Sequence, residues 1–134
     1  MADIGGVVSW TGEALRFMAE GRSGTIALNA GKGEGVGPME ALALSVAACS
    51  GADVVEILGK MRIPVTSLEV RLEGDRRPEP PRRYVALRFV FRAGVEAESE
   101  LKLRRAVELS LDKYCSVLHS LRPDIQLSTE IVLV

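Results

Sequence analysis

Apolar and polar residues alternate in two stretches near the middle of the chain. Leu68, Val70 and Leu72 are separated by charged residues, and the second stretch repeats the pattern with Val85, Leu87, Phe89 and Phe91. A period of two residues is typical of a strand with one buried face. The connecting sequence GDRRPEPPRR contains three prolines, which cannot donate to a sheet ladder, so we predict two strands joined by a hairpin loop.

Shorter alternating stretches occur at both ends of the chain. Within the first thirty residues, apolar positions recur on either side of the turn-forming sequence GRSG, which predicts a β-meander. The glycine-rich sequence AGKGEGVG at 30–37 predicts a mobile loop, and its glycine spacing matches neither a Rossmann motif nor a P-loop. A final strand is predicted over 125–134.

Two segments have the character of helices. From Pro38 to about Met61, apolar residues occupy nearly every side of the first half, because only Glu40 and Ser45 are polar between Met39 and Ala48. Such a helix is expected to be buried. Residues 97–121 repeat apolar positions at helical spacing and predict one amphipathic helix, with Cys115 beside its apolar stripe.

The order of elements is three strands, a helix, two strands, a helix and a strand. Strands joined by hairpins imply antiparallel sheets, so we predict an α+β fold with a single domain over 1–134. A chain of 134 residues has little spare surface to cover an almost wholly apolar helix. A second copy of the chain is the natural cover, which predicts a homodimer.

Composition excludes several classes of protein. Hydrophobic residues make up 47% of the chain, charged residues 26%, and the formal net charge is -1. These values are typical of an ordinary globular protein, so we expect no nucleic acid partner. The N-terminus has no signal-peptide pattern and no apolar run reaches the roughly 18 to 20 residues of a membrane span, so we expect a cytoplasmic protein without a membrane partner.

The chain has two cysteines, Cys49 and Cys115, far apart in the sequence. Thiols stay reduced in the cytoplasm, which argues against a structural disulfide. The cysteines form no zinc-ligand spacing with His119, the lone histidine, so we expect no metal site. Their reactivity is therefore the main chemical question.

The sequence around each cysteine points to one family. Pro38 stands eleven positions before Cys49 in PMEALALSVAACS, and Cys115 lies within DKYCSVL. Both segments, and the order of elements over essentially the whole chain, resemble the OsmC/Ohr superfamily. The resemblance implies an intertwined homodimer with two active sites at the subunit interface. It also implies cofactor-free, thiol-dependent reduction of organic hydroperoxides or hydrogen peroxide, with regeneration by a cellular dithiol.

The resemblance further implies roles for individual residues. Cys49 is the nucleophile, and Cys115 is the resolving cysteine. Because only a thiolate attacks peroxide and an apolar helix disfavours that charge, the site needs a cation. In the family this cation is an arginine from the N-terminal strands, and Arg22 in EGRSG resembles it, with Arg16 as the weaker alternative.

A glutamate that holds this arginine normally follows the helix-opening proline, but Met39 stands there and the acid is Glu40. A shift of one residue turns a side chain by about 100 degrees around a helix. By the resemblance, Glu40 is the candidate for the residue that orients the arginine, and the alternative is a first-turn acid stabilised by the helix dipole. The apolar Met39 motivates an alternative, non-catalytic binding of a small apolar or sulfur-containing ligand at the dimer interface. A redox role without peroxide is a further alternative.

Overall fold

The computed structural model describes residues 2–134. It divides into two compact units, Met1–Leu42 and Ala43–Val134, and each is described here by itself. The expectation of a single domain over the whole chain stays a prediction. The α+β class is confirmed, because each unit contains a three-stranded sheet and the chain forms helices between the strands.

The N-terminal unit contains the predicted meander. Strands β1 (Gly6–Trp10), β2 (Arg16–Gly21) and β3 (Thr25–Asn29) form an antiparallel sheet in that order. Short turns link neighbouring strands, and the amide of Gly21 donates to the carbonyl of Gly24 at 2.8 Å to close the second turn. The predicted β-meander is therefore confirmed.

The glycine-rich loop after β3 is organised by one buried side chain. The Nδ2 atom of Asn29 donates to the carbonyls of Lys32 and Glu34 at 3.2 and 2.9 Å. Its Oδ1 atom accepts from the amide of Gly31 at 2.9 Å. Arg16 adds a bond of 3.2 Å from its guanidinium to the Glu34 carbonyl. The loop predicted as mobile thus has a hydrogen-bonded conformation.

The long helix α1 runs over Pro38–Lys60, close to the predicted bounds. One face is buried in the C-terminal unit, with Val46, Val54 and Leu58 fully inaccessible to solvent. Gly51 lets this face approach the sheet closely, because a Cβ there would lie 3.3 Å from a methyl group of Val70. The expected burial holds for this face, whereas the opposite face is exposed at Leu44, Ala48 and Val55.

Among residues 2–134, α1 is the one helix long and apolar enough to cross a membrane. Charged residues such as Glu40, Asp53 and Glu56 interrupt its apolar sequence, so no uninterrupted apolar run indicated a span. A third of its most apolar 18-residue window is buried. The core helix of a soluble protein passes the same test, so the finding is weak evidence for a membrane span.

The C-terminal unit contains the second sheet, with strands β4 (Ser67–Arg76), β5 (Tyr84–Gly94) and β6 (Gln126–Leu133). β4 and β5 are antiparallel neighbours, as predicted. The expectation of purely antiparallel sheets is wrong for β6, which pairs with β5 in parallel. A long helical segment connects β5 to β6. It returns the chain to the end of the sheet where β5 begins, so β6 runs in the same direction as β5.

The segment predicted as one helix over 97–121 is interrupted. A 3₁₀ turn (Ala97–Ser99) leads into α2 (Glu100–Leu109), and a π-helical turn follows over Ser110–Tyr114. Cys115 then has an extended backbone, with φ −69° and ψ 98°, and the one-turn helix α3 (Ser116–His119) comes directly after it. The prediction of a continuous helix is therefore wrong at Cys115, where the chain changes direction.

The core of the C-terminal unit lies where β5 meets the buried faces of the helices. Phe89 and Phe91 on β5 are nearly inaccessible and stack with ring centroids 6.0 Å apart. Leu103 and Val107 from α2 are buried as well. Cys115 is also fully buried, so its thiol belongs to the interior rather than to the edge of an apolar stripe.

Candidate functional site

The two cysteines are neighbours in the C-terminal unit. Cys49 lies on α1 and is partly accessible, whereas Cys115 lies between the π-helical turn and α3 and is buried. Their Sγ atoms and one carboxylate oxygen of Asp53 all lie within 4.8 Å of one another. Residues far apart in the sequence thus form one cluster of two sulfurs and a carboxylate.

The π-helical turn explains how Cys115 reaches this position. The amide of Cys115 donates to the carbonyl of Ser110 at 2.8 Å, one residue further back than in an α-helix. The wider turn shifts the register of side chains, and the extended backbone of Cys115 ends the helix. The thiol then makes a weak hydrogen bond of 3.8 Å to the Val46 carbonyl on α1.

Asp53 is held beside the sulfurs by two buried serines. It lies one helical turn after Cys49, on the same face of α1. The Ser110 hydroxyl donates to Oδ2 of Asp53 at 2.8 Å and lies 2.9 Å from the Ser50 hydroxyl. A hydroxyl has one proton and accepts through its lone pairs, so both bonds form together when Ser50 donates to Ser110. The carboxylate is therefore fixed in position.

The surroundings of Cys115 keep its thiol protonated. The pKa of this thiol rises from its ordinary 9.0 to about 11, chiefly because the thiol is buried. A backbone hydrogen bond with Leu118 opposes the rise, whereas the neighbouring Cys49 thiol and the negative charge of Asp53 contribute to it. Cys115 is thus a neutral thiol at physiological pH.

The other predicted site residues lie in the N-terminal unit. The Arg22 guanidinium donates to the backbone carbonyls of Ala2 and Asp3 at 2.9 and 3.0 Å. Arg16 donates to the Glu34 carbonyl, and Glu40 is an exposed residue in the first turn of α1. The structure brings Cys49 and Cys115 together, and the roles of Arg22 and Glu40 stay predictions.

His119 has a packing role in the structure. Its Nε2 atom lies 2.9 Å from the Leu111 carbonyl, and a carbonyl only accepts, so this nitrogen carries the proton. The bond ties α3 to the π-helical turn that precedes Cys115. From the sequence, His119 was considered as a partner of the cysteines and Asp53 was missed, although the spacing of four residues after Cys49 was visible. Ser110 was not foreseeable, because it contacts Asp53 from 57 positions away in the sequence.

The chain matches one family model and is similar to a protein of Escherichia coli. Residues 31–130 match the family model described as "OsmC: OsmC-like protein". Protein YhfA of Escherichia coli strain K12 is 38% identical over 112 residues, which cover 82% of this chain and 83% of that protein.

Solved structures share the fold. A hypothetical protein from Aquifex aeolicus VF5 is 33% identical with a TM-score of 0.83, over 100% of this chain and 99% of that one. An organic hydroperoxide resistance protein OsmC from Legionella pneumophila has a TM-score of 0.69 over 98% of this chain and 99% of that chain. At 14% identity, that second likeness concerns the fold alone. The family match over 31–130 and the relative at 38% identity place the chain in the OsmC/Ohr superfamily, as an OsmC-like protein.

Proposed function

We propose that this protein reduces organic hydroperoxides or hydrogen peroxide through its two cysteines, with Cys49 as nucleophile and Cys115 as resolving thiol. The observation that carries the proposal is the separation of the two sulfurs, which lie within 4.8 Å of each other. A purely structural pair of thiols has no need of this proximity. Membership of the OsmC/Ohr superfamily supports the same chemistry.

The reaction balances with the residues named. The Cys49 thiolate attacks one peroxide oxygen, the O–O bond breaks, and an alcohol or water leaves as Cys49 becomes a sulfenic acid. The Cys115 sulfur then attacks the Cys49 sulfur, forming a disulfide and releasing the sulfenic oxygen as water. A cellular dithiol reduces the disulfide by thiol exchange, which restores both thiols.

The environments of the two sulfurs support the proposed roles. Cys49 is partly accessible and can meet a peroxide, whereas Cys115 is fully buried and protonated. The raised pKa of Cys115 requires its proton to leave as the disulfide forms. The Asp53 carboxylate is the near acceptor for this proton, because it lies within 4.8 Å of the Cys115 sulfur. Closing the disulfide to a bond of about 2 Å needs a local movement of the two sulfurs toward each other.

Arg22 completes the proposal as the cation that stabilises the Cys49 thiolate and the leaving oxygen, with Glu40 as its orienting partner. The motivation is electrostatic. Asp53 is a negative group beside both sulfurs, and it disfavours a second negative charge there. None of the ion pairs among residues 2–134 involves Asp53, so its charge is not balanced within the C-terminal unit.

The alternative function is non-catalytic binding of a small apolar or sulfur-containing ligand. In that function the cysteines only line the ligand site. A lining role sets no requirement on the distance between the sulfurs, so their proximity favours the redox function. Native mass spectrometry separates the two functions. A ligand that stays bound in Cys49→Ser supports binding, and an empty protein argues against it.

We further propose that the protein is a homodimer. An apolar groove of about 660 Å³ runs along the exposed face of α1, between Leu44, Val55 and the apolar side chains Leu68 and Val70 of β4. Leu44 and Val55 are each about half exposed, which is unfavourable for large apolar side chains in water. A second copy of the chain would remove this surface from solvent.

The assigned roles predict an order of alkylation. In the folded, reduced protein at pH 8, iodoacetamide is expected to modify Cys49 well before Cys115, because Cys115 is buried and its pKa is about 11. Peptide mass spectrometry over a time course measures both rates, and the same protein in urea is the control, where the two rates should converge. Equal rates in the folded protein would contradict the assignment.

Peroxide reduction itself is tested with cumene hydroperoxide. The reduced protein should lose both free thiols and the mass of two hydrogen atoms, while one equivalent of peroxide is consumed. Cys49→Ser should consume none. Cys115→Ala should consume one equivalent and stop at a sulfenic acid that dimedone traps. If both thiols are unchanged after several minutes in excess cumene hydroperoxide, the proposal is wrong.

The role of Arg22 predicts a selective loss of rate. A cation close to a thiol increases its thiolate population by about tenfold or more. Arg22→Ala should therefore slow the oxidation of Cys49 by about tenfold or more at pH 7, measured by stopped-flow under excess peroxide. Arg16→Ala is the matched control, with its guanidinium bound to the Glu34 carbonyl. A larger effect of Arg16→Ala would move the role to that residue.

The dimer is tested by a charge in the apolar groove. Sedimentation velocity should give the wild-type protein twice the mass of one chain, and Val55→Glu should shift it toward the monomer. Leu101→Glu is the matched control, because Leu101 on α2 is an isolated apolar residue that is 79% exposed. A monomeric wild type, or a Val55→Glu protein that remains dimeric, would refute the interface.

A further inference from the structure

The cluster at Cys49 has the composition of a metal-ligand set. Two thiols and a carboxylate converge within 4.8 Å, and each supplies one donor atom. The donors come from two elements of the same unit, Cys49 and Asp53 from α1 and Cys115 from the break before α3. Zinc commonly takes cysteine sulfur and aspartate oxygen as ligands in a tetrahedral arrangement.

The distances suit a small tetrahedral ion after a modest contraction. Zinc lies about 2.3 Å from sulfur and about 2.0 to 2.2 Å from carboxylate oxygen, so ligand atoms of one site are about 3.5 to 4 Å apart. The observed limit of 4.8 Å is slightly wider. Binding would bring the three ligand atoms closer together by about 1 Å.

A hydrogen bond orients the Asp53 carboxylate, as is common for carboxylates that bind metals. Ser110 donates to Oδ2 of Asp53 at 2.8 Å, and Ser50 lies 2.9 Å behind Ser110. Both serines are buried, so this short chain of hydroxyls is part of the interior. Hydrogen bonds of this kind orient ligand carboxylates in metal proteins.

The carboxylate of the cluster also lacks a cationic partner among residues 2–134. No ion pair in this described part of the chain includes Asp53. A divalent cation bound between the carboxylate and the two sulfurs would supply that positive charge. Soft sulfur ligands select thiophilic ions over magnesium or calcium, which prefer oxygen.

We infer that Cys49, Asp53 and Cys115 form, in the reduced protein, a binding site for a thiophilic divalent cation of the zinc class. Three protein ligands leave the fourth position to water or another small ligand. Binding releases the two thiol protons, and a Cys49–Cys115 disulfide removes both sulfur ligands. The metal therefore binds only the reduced pair and shields it from oxidants. The inference holds whether or not the pair reduces peroxides.

Cobalt reports directly on such a site. The reduced protein is titrated with Co²⁺ under anaerobic conditions, and thiolate-to-cobalt charge-transfer absorption is followed together with the visible bands of tetrahedral cobalt. The expected result is saturation at one equivalent, loss of the bands on addition of Zn²⁺, and no effect of Mg²⁺. Protein oxidised with diamide should give no charge-transfer band.

Variants assign the ligands. Cys49→Ser should lose most of the charge-transfer absorption, and Asp53→Asn should weaken cobalt binding. Ser110→Ala should weaken it by about 10 to 100-fold, as loss of a hydrogen bond to a ligand does. Glu56→Gln is the matched control, because Glu56 is an exposed acid on the same helix, paired with Lys60. It should bind cobalt as the wild type does.

Two results would overturn the site. One is the absence of charge-transfer absorption in the fully reduced wild type. The other is wild-type affinity in Asp53→Asn or in Cys49→Ser, since either would place the metal elsewhere. Thermal unfolding of each variant confirms folding, and if buried Ser110→Ala does not fold, Cys49→Ser at the partly accessible position carries the test. Peroxide consumption is measured separately, so failure of one function is distinguishable from failure of the other.

Discussion

The contact of Cys115 with α1 is the interaction on which the rest of the site depends. A regular helix through Cys115 would continue past this point, but a π-helical turn and one extended residue redirect the chain. The thiol is placed against the Val46 carbonyl and within 4.8 Å of the Cys49 sulfur. Backbone bonds compensate for the break, because the amide of Cys115 donates to Ser110 and the amide of His119 donates to Cys115. Interruptions of this kind often occur at functional sites.

The same contact creates an electrostatic problem. Two thiols share a partly enclosed space with the carboxylate of Asp53, which the buried serines hold in place. Burial and these neighbours raise the pKa of the Cys115 thiol, so charge at the sulfurs must come with a cation. An arginine near Cys49 would stabilise the thiolate and favour its attack on a peroxide. A thiophilic metal would instead bind both thiolates and block that attack. The two proposals therefore describe competing ways to stabilise the same negative charge.

The local sequence pattern predicted those strands and helices whose structure depends mainly on neighbouring residues. Alternation gave β4 and β5, and the proline and apolar run gave α1 almost to its last residue. The direction of β6 was not predictable in the same way, because it depends on where a long crossover returns the chain. The break at Cys115 was also hidden, since residues 97–121 keep helical spacing throughout.

The residues of the candidate site also differ in how far the sequence could predict them. Family resemblance identified both cysteines, and the structure brought them together. Asp53 could have been found from its spacing of four residues after Cys49, but the contact of Ser110 with Asp53 joins residues 57 positions apart, which local spacing does not indicate. Met39 stands where the family has a glutamate, and the acid follows at Glu40. Arg22 and Glu40 belong to the N-terminal unit, and their roles stay predictions.

The central claim is that Cys49 and Cys115 act as one redox pair within a single chain. Equilibration of the protein in buffers of graded dithiol-to-disulfide ratio, followed by thiol tagging and peptide mass spectrometry, tests it most directly. We expect one two-electron transition, with a Cys49–Cys115 disulfide inside one chain as the sole oxidised species. Independent oxidation of the two cysteines, disulfides only between chains, or no disulfide under oxidising conditions would contradict the account.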